Sequence, residues 1–189
     1  ANIECSAENL VQFAVMGSEF AKVILGHSNP RIGLLNVGTE HEKGKNNIQE
    51  AALILKRSPL SKNFIGYIEG DSITKGLADV VVADGFSGNI ALKTAEGVAK
   101  LCGEYIKLLF KNSFLAKVAY ILMRPSLITL KEKLDPSNRN GAMFLGLNGV
   151  VVKSHGAADT LGFASAIDIA IDMVKGGAAK RIIENLEAL

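Results

Sequence analysis

Apolar residues recur at Leu10, Phe13, Ala14, Met16, Gly17, Phe20, Ala21, Ile24 and Leu25, the 3.6-residue period of a helix with one buried face, and Ser6 stands where its N-cap belongs. Gly26, Asn29 and Pro30 end that helix. Arg31 to Val37 is then a short apolar run, read as a buried strand. A polar, glycine-bearing stretch from Gly38 to Asn46 separates it from a helix over Asn47 to Lys56. The alternation continues with a strand at Asn63 to Ile68, a turn at Glu69 to Ser72, a short turn or helix at Ile73 to Leu77, and a β-branched strand at Ala78 to Ala83. Strands separated by helical segments predict βαβ units with right-handed crossovers and a largely parallel sheet, hence an α/β fold.

After Val80-Val81-Val82 the chain reads Ala83-Asp84-Gly85-Phe86-Ser87-Gly88-Asn89, taken as a tight loop before a helix carrying Ile90, Leu92, Ala95, Val98, Leu101, Ile106 and Leu109. From Tyr105 to Leu134 large apolar residues alternate with Lys107, Lys111, Lys117, Arg124, Lys131 and Lys133. This predicts a basic, apolar helical hairpin with its bend at Pro125. Asp135 to Gly141 is turn chemistry. Ala142 to Leu147 and Gly149 to Val152 form a predicted strand pair joined near Asn148-Gly149, and Ser154-His155-Gly156 closes it. The remainder, Ala157 to Lys175 and Gly177 to Leu189, is helical with a break at Gly176-Gly177.

Composition adds little that is specific. The 189 residues are 48% hydrophobic, enough for a core that needs no disulfide or metal. A net charge of +2 is too small to argue for nucleic acid as a partner. Cys5 and Cys102 form no C-x-x-C pair and read as reduced, buried thiols. The first residues carry neither a basic region nor an apolar signal core, and no apolar run approaches the roughly 20 residues of a membrane span, so a protein that is soluble or at most lies on a membrane is expected, and the reduced thiols suit a cytoplasmic one. The missing initiator Met suggests a piece of a longer chain.

Two familiar motifs fail on counting. Gly38 to Lys45 imitates a phosphate-binding Walker A loop, but five residues instead of four separate Gly38 from Gly44, and Asn46 replaces the magnesium-binding hydroxyl. Gly85-Phe86-Ser87-Gly88 imitates a nucleophile elbow, but Asn89 stands where the second glycine is required. There is no G-x-G-x-x-G, and three scattered histidines give no zinc spacing. What remains is two glycine-bearing loops at the ends of two predicted parallel strands. One holds Gly38, Thr39, Glu40, Lys43 and Gly44; the other holds Asp84, Gly85, Phe86, Ser87, Gly88 and Asn89, with Lys93 one helical turn beyond. Backbone N–H groups at a helix start, an amide and an ammonium suit an anion such as phosphate. The plainer reading is that the glycines make turns and Asp84 caps a helix.

Four segments carry a family likeness: Leu10 to Gly17 (LVQFAVMG), Gly33 to Glu40 (GLLNVGTE), Ala78 to Asn89 (ADVVVADGFSGN) and Asn148 to Val152 (NGVVV). They closely resemble the PlsX-type phosphate acyltransferases of bacterial phospholipid synthesis. The likeness covers residues 1–189 as the C-terminal portion of a single α/β domain, with 105–134 a helical hairpin within it. Ala1-Asn2 looks like the end of a D-x-G-A-N segment. The resemblance implies a three-layer α/β/α fold related to phosphotransacetylases and to isocitrate and isopropylmalate dehydrogenases, usually as a homodimer. It also implies a reaction in which acyl-[acyl carrier protein] and inorganic phosphate give acyl phosphate and free carrier, with no cofactor or metal. On this expectation Asp84, Asn89, Lys93 and His155 serve catalysis. Asn2, Asn36, Gly38, Thr39, Glu40, Lys43, Gly44, Gly85, Phe86, Ser87 and Gly88 bind substrate. Lys107, Lys111, Lys117, Leu122 and Arg124 meet an anionic membrane surface or the acidic carrier, beside a downstream membrane acyltransferase. The alternatives are phosphotransacetylase-like transfer to another acceptor, and a non-catalytic membrane or carrier-binding scaffold.

Overall fold

A computed structural model describes residues 2–111, 113–134, 142–154, 156 and 158–189, with the backbone alone for 131–134. In chain order the elements are α1 (Ala7–Ile24), β1 (Ile32–Leu35), α2 (Asn46–Arg57), β2 (Phe64–Ile68), a 3-10 turn (Gly70–Lys75), β3 (Val80–Val82), α3 (Gly85–Leu109), α4 (Phe114–Leu134), β4 (Ala142–Met143), β5 (Val152–Lys153), α5 (Thr160–Lys175) and α6 (Ala178–Glu187). Strands β2, β1 and β3 form a parallel sheet in that order. Strands β4 and β5 pair antiparallel. The α/β class with a parallel sheet is as expected.

Helix α1 begins at a complete capping box: the Ser6 hydroxyl accepts from the Asn9 N–H, and the Asn9 side chain accepts from the Ser6 N–H. Of its predicted apolar stripe, Leu10, Ala14, Met16 and Ala21 are buried, Phe13, Gly17, Phe20 and Ile24 are half-buried and Leu25 is exposed, while Val11, Val15, Ser18 and Glu19 are buried as well. Leu10, Val11 and Ala14 meet Ile32 and Leu34 of β1, Ala51, Ala52 and Leu55 of α2, Tyr67 of β2 and Val82 of β3 in one core. Leu10, Ile32, Leu34 and Leu55 are fully buried, each contributing roughly 1.5–3 kcal/mol. On the other side of β1, Ile68 leans over Gly33, and a Cβ there would overlap it. Because β1 and β3 are neighbours and parallel, the loops leaving their carboxyl ends come out side by side.

Four expectations are corrected. Helix α3 starts at Gly85, with Asp84 as its N-cap, so Gly85 to Asn89 are helical and not a loop. The first turn tolerates two glycines because the Asp84 carboxylate accepts from Ser87 N–H at 2.6 Å and anchors it. Helix α3 ends at Leu109 and α4 begins at Phe114, and Pro125 lies inside α4 and not at a bend between helices. Ser113 supplies the start of α4: its hydroxyl accepts from Ala116 N–H at 3.0 Å. The strand pair is shorter than predicted, with residues 144–151 as its connection. Cys5 is buried as read, but Cys102 is exposed on α3, a helix with no buried residue. The break between the last two helices falls as expected, at Gly177 in the left-handed region (φ 62°). The predicted turn at Asp135 to Gly141 lies outside the described residues.

Candidate functional site

The Gly38 to Gly44 loop and the Asp84 cap of α3 follow the carboxyl ends of the neighbouring parallel strands β1 and β3. Among the described residues, Lys45, the N-cap of α2, bridges them, its Nζ 3.5 Å from Asp84 Oδ2. Asp84 is 7% exposed. Burial is the largest influence on its carboxyl and pushes its pKa up. Ser87, through its N–H and its side chain, and the Lys45 ammonium more than offset this, so the net shift is downward and the carboxylate is held ionised.

The start of α3 offers less to an anion than the sequence suggested. Gly85 N–H donates to the carbonyl of Asn2 at 2.7 Å, and Ser87 N–H to Asp84. The same Asn2 carbonyl accepts from the Cys5 thiol at 3.5 Å, and the Asn47 side chain donates to Cys5 O at 2.7 Å. Residues 2–5 are therefore laced to the starts of both α2 and α3. Burial raises the Cys5 thiol pKa, the Gly85 N–H lowers it, and the Asp84 charge adds to the rise, so this thiol stays protonated. Asn89 and Lys93 are exposed along α3, with Lys93 Nζ 2.8 Å from Glu96 Oε2. Phe86 is exposed at the first turn.

The Gly38 to Gly44 loop is built from inside. Asn36, 7% exposed, donates its amide to Gly38 O at 3.2 Å and Lys43 O at 3.0 Å. Gln49 of α2 donates to Glu42 O at 3.0 Å and Gly44 O at 3.2 Å. Thr39, Glu40 and Lys43 belong to the rim of this loop, with Glu40 and Lys43 exposed and Lys43 N–H turned back to Glu40 O at 3.1 Å. Asn36, expected to touch substrate, is instead enclosed by its own loop. His155 lies outside the described residues. Lys45 and Gln49 escaped sequence reasoning; the lysine at the very start of a helix, beside a glycine loop, was the available signal.

The structure thus brings Lys45, just past the Gly38 to Gly44 loop, to the Asp84 cap at the start of α3, at the carboxyl end of a parallel sheet, where open α/β folds commonly hold their ligands. A profile of the fatty acid synthesis protein family matches residues 1–181, and the chain belongs to that family. It is 54% identical over its full 189 residues to the phosphate acyltransferase of Rhodospirillum centenum, covering 53% of that protein. The corresponding enzyme of Granulibacter bethesdensis is 53% identical over the whole chain, with 51% of it covered. That of Alkalilimnicola ehrlichii is 48% identical, with 55% covered. The chain spans about half the length of the curated relatives it matches.

Proposed function

We propose that this chain carries the phosphate-handling part of a phosphate acyltransferase, in which acyl-[acyl carrier protein] and inorganic phosphate yield acyl phosphate and free carrier protein. The observation that supports this best is the meeting of the Gly38 to Gly44 loop with the Asp84 cap of α3, joined by Lys45. The similarity to phosphate acyltransferases supports the same reading.

A phosphate oxygen attacks the thioester carbon, the C–S bond breaks, and the electron pair leaves on sulfur, which takes a proton from solvent or a nearby acid. Phosphate is already a nucleophile, and a thiol of pKa about 8.5 leaves readily, so positioning and charge stabilisation carry the work. In this reading Lys43 and the Gly38 to Gly44 loop hold phosphate, and Asn89 and Lys93 serve the thioester oxygen. Asp84 orients Lys45, and His155 assists the departing thiolate. The whole enzyme is read as a three-layer α/β/α homodimer on the cytoplasmic membrane face. It hands acyl phosphate to a membrane acyltransferase, with α3 and α4 touching lipid or carrier.

The test is release of free carrier thiol from a long-chain acyl carrier thioester, with and without phosphate, in the whole enzyme. Phosphate-dependent release is expected, and Asn89→Ala or Lys93→Ala should each lower it by roughly 100-fold or more, as for a lost transition-state donor. Rates within about twofold of wild type would remove these residues from the site; release without phosphate would remove the proposed reaction.

A further inference from the structure

We propose that Asn36 and Gln49 are positioning residues, a pair of amides that gathers the carbonyl oxygens of the Gly38 to Gly44 loop and, closed over by Gly44, presets that loop for an anion. The proposal rests on the phosphate reading of the same site.

Asn36 is fixed before the loop begins, because its N–H donates to Ile68 O at 2.9 Å and continues the β1 to β2 ladder. From there one amide reaches both ends of the loop, Gly38 O and Lys43 O. Gln49, held on α2, takes Glu42 O and Gly44 O and shares Lys43 O at 3.4 Å. Four carbonyls are thereby turned onto neutral donors. A carbonyl oxygen pointed at phosphate would repel it, so a loop that binds an anion gains by pointing these dipoles elsewhere.

Gly44 closes the arrangement. Its φ of +88° is a region L side chains rarely adopt, and a Cβ there would overlap Asn36 Oδ1. That oxygen is buried, packed against the glycine and without a hydrogen-bond partner among the described residues. Asn36 therefore acts through the loop and Lys43, without contacting the ligand.

The experiment uses the whole enzyme and two readouts: backbone hydrogen exchange of residues 38–45 without phosphate, and kcat and KM for inorganic phosphate. Asn36→Asp keeps the shape but cannot donate. It should speed loop exchange about 10-fold with α1 unchanged, and raise the phosphate KM about 10-fold while kcat stays within about threefold. Gln49→Glu should do the same more weakly. Gly44→Ala, at a half-buried loop position away from the α1 to β1 core, should reproduce the pattern even if Asn36→Asp folds poorly. A residue that merely touched phosphate would leave exchange of the empty loop unchanged. Unchanged exchange in these variants overturns the proposal, and so does faster exchange with an unaltered KM. If the wild-type enzyme forms no acyl phosphate, the proposed reaction falls, while the exchange readout alone still decides whether the amides hold the loop.

Discussion

At the end of the sheet opposite the site, Arg31 and Asp79 tie the entry of β1 to the entry of β3. The Asp79 carboxylate accepts from the Arg31 backbone N–H at 2.7 Å, from Nε at 3.1 Å and from Nη2 at 2.9 Å, and Nη2 also donates to Gly76 O at 2.8 Å. Hydrogen bonds from the Arg31 side chain, and then from its backbone, hold the Asp79 pKa down at about 2 against a reference of 3.8. The folded pKa lies below the unfolded one, so this carboxylate stabilises the fold above the unfolded value and stops doing so as pH falls through the folded value. Urea unfolding of wild type and Asp79→Asn should therefore differ near neutrality and converge between about pH 4 and about pH 2. Curves that stay parallel across that range would show that the clamp adds nothing. Neither this clamp nor the Lys45 to Asp84 bridge is legible in the sequence, because each joins residues about 40 or more positions apart. The Gly38 to Gly44 loop was legible, since glycines and polar residues interrupt an apolar strand there. Which of Lys43 and Lys45 reaches across depends on the path that Asn36 imposes, and no spacing rule encodes that.

Helix elements obey two opposite glycine rules in the same molecule. Gly17 of α1 faces β3, where an added Cβ would lie 2.6 Å from Val80 Cγ1, whereas a Cβ at Gly97 of α3 meets nothing within 4 Å. Alanine improves helix propensity at either position by about 1 kcal/mol. At Gly17 this is outweighed by overpacking of about 1–3 kcal/mol, because Val80 is β-branched and its methyl cannot swing aside cheaply. Gly17→Ala should therefore lower the unfolding free energy, and Gly97→Ala raise it by roughly 0.5–1 kcal/mol, in denaturant titrations. A stabilising Gly17→Ala would mean that α1 sits farther from β3 than described. The same balance explains which elements could be read in advance. Helix α1 is marked by its 3.6-residue apolar period, and the three parallel strands by short apolar runs. The start of α3 was hidden because Gly85 and Gly88 look like a loop until the Asp84 cap is seen. Pro125 misled for a similar reason: a proline inside a helix costs about 3 kcal/mol, so a bend was the natural expectation, yet α4 runs through it.

On the scale of the whole molecule, α3 and α4 pack on each other, with the Phe110 and Tyr120 rings 5.5 Å apart, and no described side chain of either helix is buried. Phe114 and Leu115 are each 81% exposed and Leu122 is 77% exposed, beside exposed Lys107, Lys111, Lys117 and Arg124. None of the helices, among the described residues, is long and apolar enough to cross a membrane. Apolar side chains interspersed with cations suit a surface that is both greasy and negative, such as an anionic bilayer interface. A buried Leu side chain contributes roughly 1.5–3 kcal/mol, and a carboxylate in its place is also repelled by anionic lipid. Leu122→Glu in the whole enzyme should thus weaken co-sedimentation with anionic vesicles by about 10-fold or more, while phosphate-dependent thiol release from a soluble carrier thioester is retained. If vesicle binding is unchanged and the particle mass in solution falls instead, the exposed face of α4 is covered by a second copy of the chain and not by lipid.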